Sequence, residues 1–142
     1  PQLGADVELY RDDEGDLELV VERHKVVQIL VNLLHNAGQA IDRAPGAHRA
    51  IRITWRARPG EHLEIGVHDG GIGVRDEHRH RLFTHGFTTR PGGHGFGLHA
   101  SAVAARELGG TLRFESEGPG LGASFFLEIP VTVGARRGEG AP

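Results

Sequence analysis

The stretch Gln28-Ile29-Leu30-Val31-Asn32-Leu33-Leu34-His35-Asn36-Ala37-Gly38-Gln39-Ala40 decides how this chain is expected to fold. It lies inside a periodic segment, residues 23–43, that predicts one long helix ended by Pro45-Gly46. Polar residues recur there every three or four positions and therefore share one helix face. They are Gln28, Asn32, His35, Asn36, Gln39 and Arg43. Most are amides, which suit a half-buried wall that holds a ligand; a solvated face, usually rich in Lys and Glu, is the alternative interpretation.

Two of these amides point to a metal. Asn32 and Asn36 are one helical turn apart, so their side-chain oxygens can face one cavity. Oxygen ligands are what Mg²⁺ prefers, with phosphates and water completing its shell. The pair is thus a candidate magnesium site.

A second polar feature ends a predicted strand, residues 63–69, in which apolar side chains alternate. Asp69 has the same parity as those apolar residues and is expected to face the helices. An inward carboxylate needs a partner, because an unpaired buried charge is costly. Gly70, Gly71 and Gly73 follow it and leave room for a flat ligand whose amino group could donate to the carboxylate. Taken alone, an ordinary Asp-Gly turn explains the same residues.

The third feature is a glycine-rich run, residues 92–98, that leads into a predicted helix. Backbone N–H groups before a helix N-terminus bind anions, phosphate above all. The run also matches a loose dinucleotide fingerprint, but that fingerprint needs a strand directly before it. Residues 87–91 read as a loop, so we reject the dinucleotide interpretation, and a merely flexible loop is the alternative.

The remaining patterns predict a fold class. Two short strands, residues 7–10 and 17–21, are joined by the acidic turn Asp12-Asp13-Glu14-Gly15. There follow the long helix, strands at 51–58 and 63–69, a short helix at 77–83, a loop at 85–94, a helix at 98–108, and a hairpin of 110–116 with 124–129. This order favours an α+β, two-layer α/β sandwich, with helices on one face of a mixed, mostly antiparallel sheet. We expect one domain, residues 1–133, and a disordered tail, residues 134–142.

Composition narrows the function. The chain has 142 residues, no cysteine, ten histidines and a net charge of −3. Disulfides and cysteine-based zinc sites are excluded, and the histidines lack metal-ligand spacing. Both signs of charge are scattered, which argues against a nucleic-acid-binding face. No apolar run could span a bilayer, so we expect no membrane contact by this domain. A chain without thiols suits the cytosol, so we expect a cytoplasmic location, with a membrane anchor elsewhere in the parent protein left open. A start at Pro1 with no methionine indicates a piece of a longer protein.

In this order and spacing, the motifs resemble the ATP-binding catalytic domain of sensor histidine kinases, in the gyrase–Hsp90–histidine kinase–MutL superfamily. The resemblance covers about residues 7–130. The motifs that carry it are residues 28–37 as the N box, 69–73 as the first glycine box, 82–90 as the F box, 93–98 as the second glycine box, and Gly122-Ala123-Ser124-Phe125 at the place of the final one.

The resemblance implies the Bergerat ATP-binding fold, with ATP and Mg²⁺ as cofactors. Asn36 would bind Mg²⁺ with Asn32 nearby, and Asp69 would hold the adenine amino group. Residues 84–96 would form a lid over ATP. Many members carry Lys or Arg at the position of Gln39, so Arg90 is our substitute for the phosphate-facing cation and, with the two asparagines, a candidate catalytic residue. The other implied nucleotide-binding residues are Gln39, Ala40, Gly71, Gly73, Phe87, Thr88, Thr89, Gly93, His94, Gly95, Phe96, Gly97 and Leu98.

The implied reaction is transfer of the ATP γ-phosphoryl group to a histidine in a separate helical dimerisation and phosphotransfer domain, with a response regulator downstream. No segment here has the setting of that histidine. Clamp ATPases of the gyrase, Hsp90 or MutL kind carry Glu at the position of Asn32 as general base, and an amide cannot accept that proton. The anti-sigma serine kinases usually keep an acidic residue there as well. A nucleotide-binding regulatory module without catalysis stays open.

Overall fold

A computed structural model of the chain describes residues 8–13, 19–20, 22–44, 46, 49–58, 62–84, 86–87, 97–130 and 132–133. Its helices are α1 (Arg23–Asp42), a 3-10 helix (Asp76–Arg81) and α2 (Gly97–Glu107). Its strands are β1 (Glu8–Asp13), β2 (Leu19–Val20), β3 (Ala50–Arg58), β4 (His62–Asp69), β5 (Thr111–Glu115), β6 (Ala123–Pro130) and β7 (Thr132–Val133). Each predicted helix and strand therefore has a counterpart among the described residues, and β7 is an additional strand that we did not predict.

The main sheet has five strands in the order β1-β3-β4-β6-β5. β1 runs parallel to β3, and the other neighbouring pairs in this sheet are antiparallel. β2 pairs with β7 in a separate two-stranded sheet. The prediction of a mixed, mostly antiparallel sheet is confirmed.

One predicted turn is wrong in its bounds. Asp12 and Asp13 belong to β1, where they pair with Thr54 and Trp55 of β3. The strand continues into the acidic residues because β3 offers partners to their backbone N–H and C=O groups. Glu14 and Gly15 lie outside the described residues.

The core lies between α1 and one face of the sheet. α1 buries an apolar stripe with helical spacing, and β4 and β6 bury alternate residues, as the two periodicities require. The buried apolar side chains of this stripe and of the two strands are Val26, Ile29, Leu33, Ala37, Ile41, Leu63, Ile65, Val67, Ala123, Phe125, Leu127 and Ile129. α2 packs beside α1 and also contacts β5 and β6. Both helices thus cover the same face.

The opposite face carries charge and no helix of the described chain. Arg113 on β5 forms an ion pair with Glu64 on β4 at 3.0 Å. Its guanidinium carbon lies 4.1 Å from the ring centroid of Phe126. Such contacts suit a surface strand face, so the described residues form the two-layer sandwich expected.

The short helix differs from its prediction in type and position. It is a 3-10 helix that starts at Asp76 rather than at residue 77, and its helical geometry ends at Arg81. Leu82 and Phe83 leave the helix because their side chains pack against the core. The N–H of Thr84 then donates to the carbonyl of Arg81 at 2.9 Å.

Several expectations lie outside the described residues. They are most of the 85–94 loop, where only Gly86 and Phe87 are described, and the tail at 134–142. The single-domain extent of 1–133 stays a prediction. Among the described residues, no helix has the length and apolar character to cross a membrane.

Candidate functional site

A cleft opens between α1, the end of β4 and the start of α2. Its volume is about 670 Å³ when the open solvent at its mouth is included. Its described walls are mainly apolar. They are Asn36, Ala40, Arg43, Asp69, Ile72, Gly73, Val74, Leu82, Phe87, Gly97, Leu98, Ala123 and Phe125.

Asp69 supplies the only carboxylate among those lining residues. It is the last residue of β4 and lies between Ile51 of β3 and Ala123 of β6. One carboxylate oxygen, Oδ1, accepts the N–H of Gly71 at 2.8 Å. The other, Oδ2, is buried and has no hydrogen-bond partner. A buried unpaired acceptor is costly, so this oxygen is arranged to receive a donor from a ligand.

The environment of Asp69 also changes its acidity. Burial raises the pKa of the carboxyl from 3.8 to about 6, while the N–H groups of Gly71 and Ala123 act in the opposite direction. Desolvation outweighs them because it penalises the charged form. At neutral pH the group is still a carboxylate.

The glycine turn after Asp69 is clamped from both sides. The N–H of Ile72 donates to the carbonyl of Ala40 at 3.1 Å, and the N–H of Gly122 donates to the carbonyl of Gly71 at 3.2 Å. A Cβ at Gly71 would lie 2.5 Å from the carbonyl carbon of Ala40. At Gly71, the space that a side chain would need is therefore taken by the backbone of Ala40.

Gly73 has a different requirement. Its φ is +73°, and a Cβ there would lie 2.1 Å from the carbonyl oxygen of Gly118. Only glycine combines that conformation with that approach. Gly73 also lines the cleft.

Ser116 is a structural residue that the sequence analysis missed. Its hydroxyl accepts N–H groups from Val74 at 3.0 Å and Gly118 at 3.2 Å, and donates to the carbonyl of Gly122 at 2.7 Å. It thereby ties the end of β5 to the glycine turn. The sequence offered only a weak signal for it, a serine just after a strand. Its partners are backbone groups, one of them 42 residues away, and no local pattern indicates them.

The amides of α1 do not share one cavity. Asn36 lines the cleft, half-buried, and its side chain has no hydrogen-bond partner among the described residues. Asn32 is not among the lining residues. Its Nδ2 donates to the Ser101 hydroxyl at 3.2 Å and, at 3.5 Å, to the carbonyl of Gly97. The structure therefore brings one of the two asparagines, Asn36, to the cleft.

The later positions of α1 also differ in whether they line the cleft. Gln39 is not a lining residue; its Nε2 lies 3.5 Å from Nε2 of His35, and its Oε1 is buried without a partner. Ala40 and Arg43 do line the cleft. Arg43 is a cation that the sequence analysis placed on the correct helix face but did not assign to the site.

The remaining predicted residues are partly described. Phe87, Gly97 and Leu98 line the cleft, and nucleotide binding by them stays a prediction. Thr88, Thr89, Arg90, Gly93, His94, Gly95 and Phe96 lie outside the described residues. Apolar walls that we did not predict come from Ile72, Val74, Leu82, Ala123 and Phe125; the alternation along 124–129 could have indicated Phe125. No group of three metal-binding side chains occurs in the described part of the chain.

An apolar cleft with one unpaired carboxylate oxygen in its wall suits a flat heterocycle that carries an amino group. An amide one helical turn from Ala40 and a helix start at Gly97 suit its polar substituents. Together with the two-layer sandwich, these features define a nucleotide-binding α+β domain.

Comparison with known proteins agrees with a nucleotide-binding domain. The family described as "Histidine kinase-, DNA gyrase B-, and HSP90-like ATPase" matches residues 21–133, and the chain belongs to this family. Its sequence is 32% identical to sensor histidine kinase ZraS of Escherichia coli (strain K12) over 123 residues, which are 87% of this chain and 25% of that protein. It is also 32% identical to sensor-like histidine kinase SenX3 of Mycobacterium tuberculosis (strain ATCC 25618 / H37Rv), over 97% of this chain and 34% of that one.

Solved structures give the same family. Full-length ShkA in complex with AMPPNP superimposes with a TM-score of 0.78 at 25% identity, over 92% of this chain and 27% of that one. The catalytic domain of histidine kinase ThkA, free of nucleotide, gives a TM-score of 0.74 at 26% identity, over 89% of this chain and 82% of that one. The chain thus corresponds to the ATP-binding catalytic domain of histidine kinases and spans about a quarter to a third of the curated relatives named above.

Proposed function

We propose that this chain transfers the γ-phosphoryl group of ATP to a histidine in a helical dimerisation domain of the same protein, within a two-component system. Two features of the chain together carry the proposal. The Oδ2 atom of Asp69 is buried without a hydrogen-bond partner, and the residue at position 32 is an amide. The carboxylate recognises adenine, and the amide leaves no general base for water at that position.

Adenine binding follows from the shape and charge of the cleft. The exocyclic amino group of the base donates to Oδ2 of Asp69, which has no other partner. The base lies among apolar side chains of the cleft wall, such as Ile72, Val74 and Phe125, which remove its faces from water. The similarity to ShkA, whose structure contains AMPPNP, supports an adenine nucleotide as ligand.

The phosphates lie toward the start of α2. Asn36 fits a magnesium site because its amide reaches the cleft without a protein partner among the described residues. One amide oxygen, phosphate oxygens and water are a usual shell for Mg²⁺. Bound Mg²⁺ would neutralise charge on the phosphates. Arg90 stays our proposal for the phosphate-facing cation, and the segment 84–96 for the lid.

The acceptor needs no base from this domain. A neutral imidazole already carries a lone pair on one nitrogen, and phosphoryl transfer depends mainly on positioning and charge stabilisation. Asn32 is therefore compatible with a histidine kinase and unfavourable for a hydrolytic motor. A response regulator would take the phosphoryl group from the histidine, in the cytoplasm.

Reconstitution tests the proposal. Mixed with its helical domain as a separate polypeptide and with labelled ATP and Mg²⁺, the chain should phosphorylate one histidine there, giving an acid-labile, base-stable product. Alone, it should hydrolyse ATP very slowly and acquire no phosphate. Fast turnover by the chain alone would favour a clamp ATPase, and an acid-stable phosphoserine on a partner would favour the anti-sigma branch. Nucleotide binding with no transfer would favour a regulatory module.

The acidity of Asp69 predicts a pH dependence. Adenosine should bind about tenfold more weakly at pH 5 than at pH 7.5, because a carboxyl of pKa about 6 is then mostly protonated and loses its charge. Adenosine is the suitable probe because phosphate groups themselves titrate near pH 6. Calorimetry across this range measures the effect. The Asp69→Asn variant should show no such dependence, and equal affinity of the unchanged chain at both pH values would contradict the role of the carboxylate.

A further inference from the structure

Asn32 connects the two helices that flank the cleft. Its amide nitrogen, on α1, lies 3.2 Å from the Ser101 hydroxyl and 3.5 Å from the Gly97 carbonyl oxygen, both on α2. Gly97 is the first residue of α2 and Ser101 lies one turn later. Asn32 therefore contacts the first turn of α2 at two points.

Ser101 shows why this contact matters to the fold. It is 1% exposed and, among the described residues, is the one polar residue that is buried as a whole. A buried hydroxyl needs a hydrogen-bond partner, and Asn32 supplies one. The other buried residues of α2 are small, namely Ala102, Ala104 and Ala105, and its larger apolar residue Leu98 is only partly buried against the core. A polar contact is thus well suited to set the position of the helix start.

We propose that Asn32 is a positioning residue, which acts through Ser101 and Gly97 to hold the first turn of α2 against α1. The inference rests on the proposed ATP-binding function and extends it. Asn36 follows Asn32 by about one turn, roughly 6 Å along α1, and lines the cleft together with Gly97. Fixing Gly97 relative to α1 therefore fixes the phosphate end of the cleft relative to Asn36.

The chemistry of the contact requires an amide. The Gly97 carbonyl can only accept a hydrogen bond, and Nδ2 of Asn32 donates to it. A carboxylate at position 32 has no proton to donate at neutral pH and would set an acceptor against an acceptor. In this chain an acidic residue at that position, as in the clamp ATPases, would disturb the start of α2.

A double-mutant cycle tests this role, with Asn32→Ala, Ser101→Ala and the double variant, and with ATP and adenosine affinities measured by calorimetry. We expect each single variant to bind ATP about five- to tenfold more weakly. The double variant should be no weaker than the worse single one, because both remove the same contact. Adenosine affinity should change less than twofold, because the base end of the cleft lies at Asp69. Buried Ser101 cannot contact the nucleotide, so its effect must pass through α2.

Lys25→Ala is the matched control. Lys25 forms an ion pair with Glu107 at 3.7 Å. The substitution therefore removes another contact between α1 and α2, but at the far end of α2. It should leave ATP affinity unchanged. Two results would overturn the proposal in favour of a direct contact of Asn32 with the ligand. One is a double variant whose loss of ATP affinity equals the product of the two single losses. The other is a loss of ATP affinity in Asn32→Ala with none in Ser101→Ala. Equal losses of adenosine and ATP affinity would also overturn it, because they would indicate a general loosening of the fold.

Hydrogen exchange separates this inference from the proposed function. Without any nucleotide, Asn32→Ala and Asn32→Asp should both speed amide exchange of the α2 residues after Gly97, while Lys25→Ala should not. Asn32→Asp preserves side-chain size, so it also serves if the alanine variants fold poorly. If the unchanged chain binds no ATP, the proposed function fails, yet the exchange data still decide whether Asn32 holds α2. Unchanged exchange in both Asn32 variants would overturn the positioning role.

Discussion

Replacing Asp69 with Asn is expected to weaken ATP binding about 10- to 100-fold, because a hydrogen bond to a charged acceptor contributes roughly 1.5–3 kcal/mol. The carboxylate oxygen Oδ2 is buried and unpaired in the folded chain, ready to accept the adenine amino group. An amide nitrogen in its place would present N–H groups to another N–H donor. Calorimetry with ATP measures the loss. Unchanged affinity would refute the assignment of Asp69 to adenine.

The same substitution should stabilise the nucleotide-free fold. Burial raises the pKa of Asp69 from 3.8 to about 6, so its ionised form is less favourable in the folded than in the unfolded chain. The shift corresponds to about 3 kcal/mol of lost stability at neutral pH. This loss develops as pH rises from about 4 to about 6 and is absent below. Asn cannot ionise and can still accept the N–H of Gly71.

Thermal unfolding tests this second effect. Asp69→Asn should unfold at a higher temperature than the unchanged chain at pH 7.5, and the difference should shrink toward pH 4. Asp76→Asn is a suitable control, since Asp76 is exposed on the 3-10 helix and should change neither stability nor affinity. Opposite signs for affinity and stability would mark Asp69 as a residue kept for binding. A destabilised Asp69→Asn chain would show that the carboxylate supports the fold instead.

Replacing Asn36 with Ala should remove most of the benefit that Mg²⁺ gives to ATP binding, at least about tenfold, and with it transfer to the helical domain. The physical reason is that Asn36 is the α1 amide that reaches the cleft and makes no hydrogen bond there to any described residue. Adenosine affinity should stay the same, because the base contacts Asp69 and the apolar wall.

Titrations of ATP with and without Mg²⁺ measure this effect directly. Gln28→Ala is the matched control, an exposed amide on the same helix that does not line the cleft. It should leave the Mg²⁺ dependence intact. If Asn36→Ala retains the full Mg²⁺ benefit, the metal is held elsewhere, and the role proposed for Asn36 is wrong.

Local periodicity predicted much of the fold. The expected helix at 23–43 is Arg23–Asp42, and the expected helix at 98–108 is Gly97–Glu107. The predicted inward face of β4 is the buried face. These features follow from the 3.6-residue and two-residue repeats of side-chain direction, which the backbone imposes on any chain.

Strand pairing could not be read in the same way. β1 and β2, neighbours in sequence, enter different sheets and pair with β3 and β7. Their partners are decided by which distant strand offers free backbone groups, and no short window of sequence contains that information. Ser116 was missed for the same reason, since one of its partners lies 42 residues away.

By itself, the sequence determined which residues could form the site: the amide face of α1, the inward direction of Asp69 and a glycine-rich approach to α2. Only the tertiary structure decided which of them meet. It placed Asn36 in the cleft and joined Asn32 to Ser101. It also filled the space at Gly71 with the backbone of Ala40. Side-chain direction is set by the local backbone, whereas the contact made depends on a distant element packed opposite it.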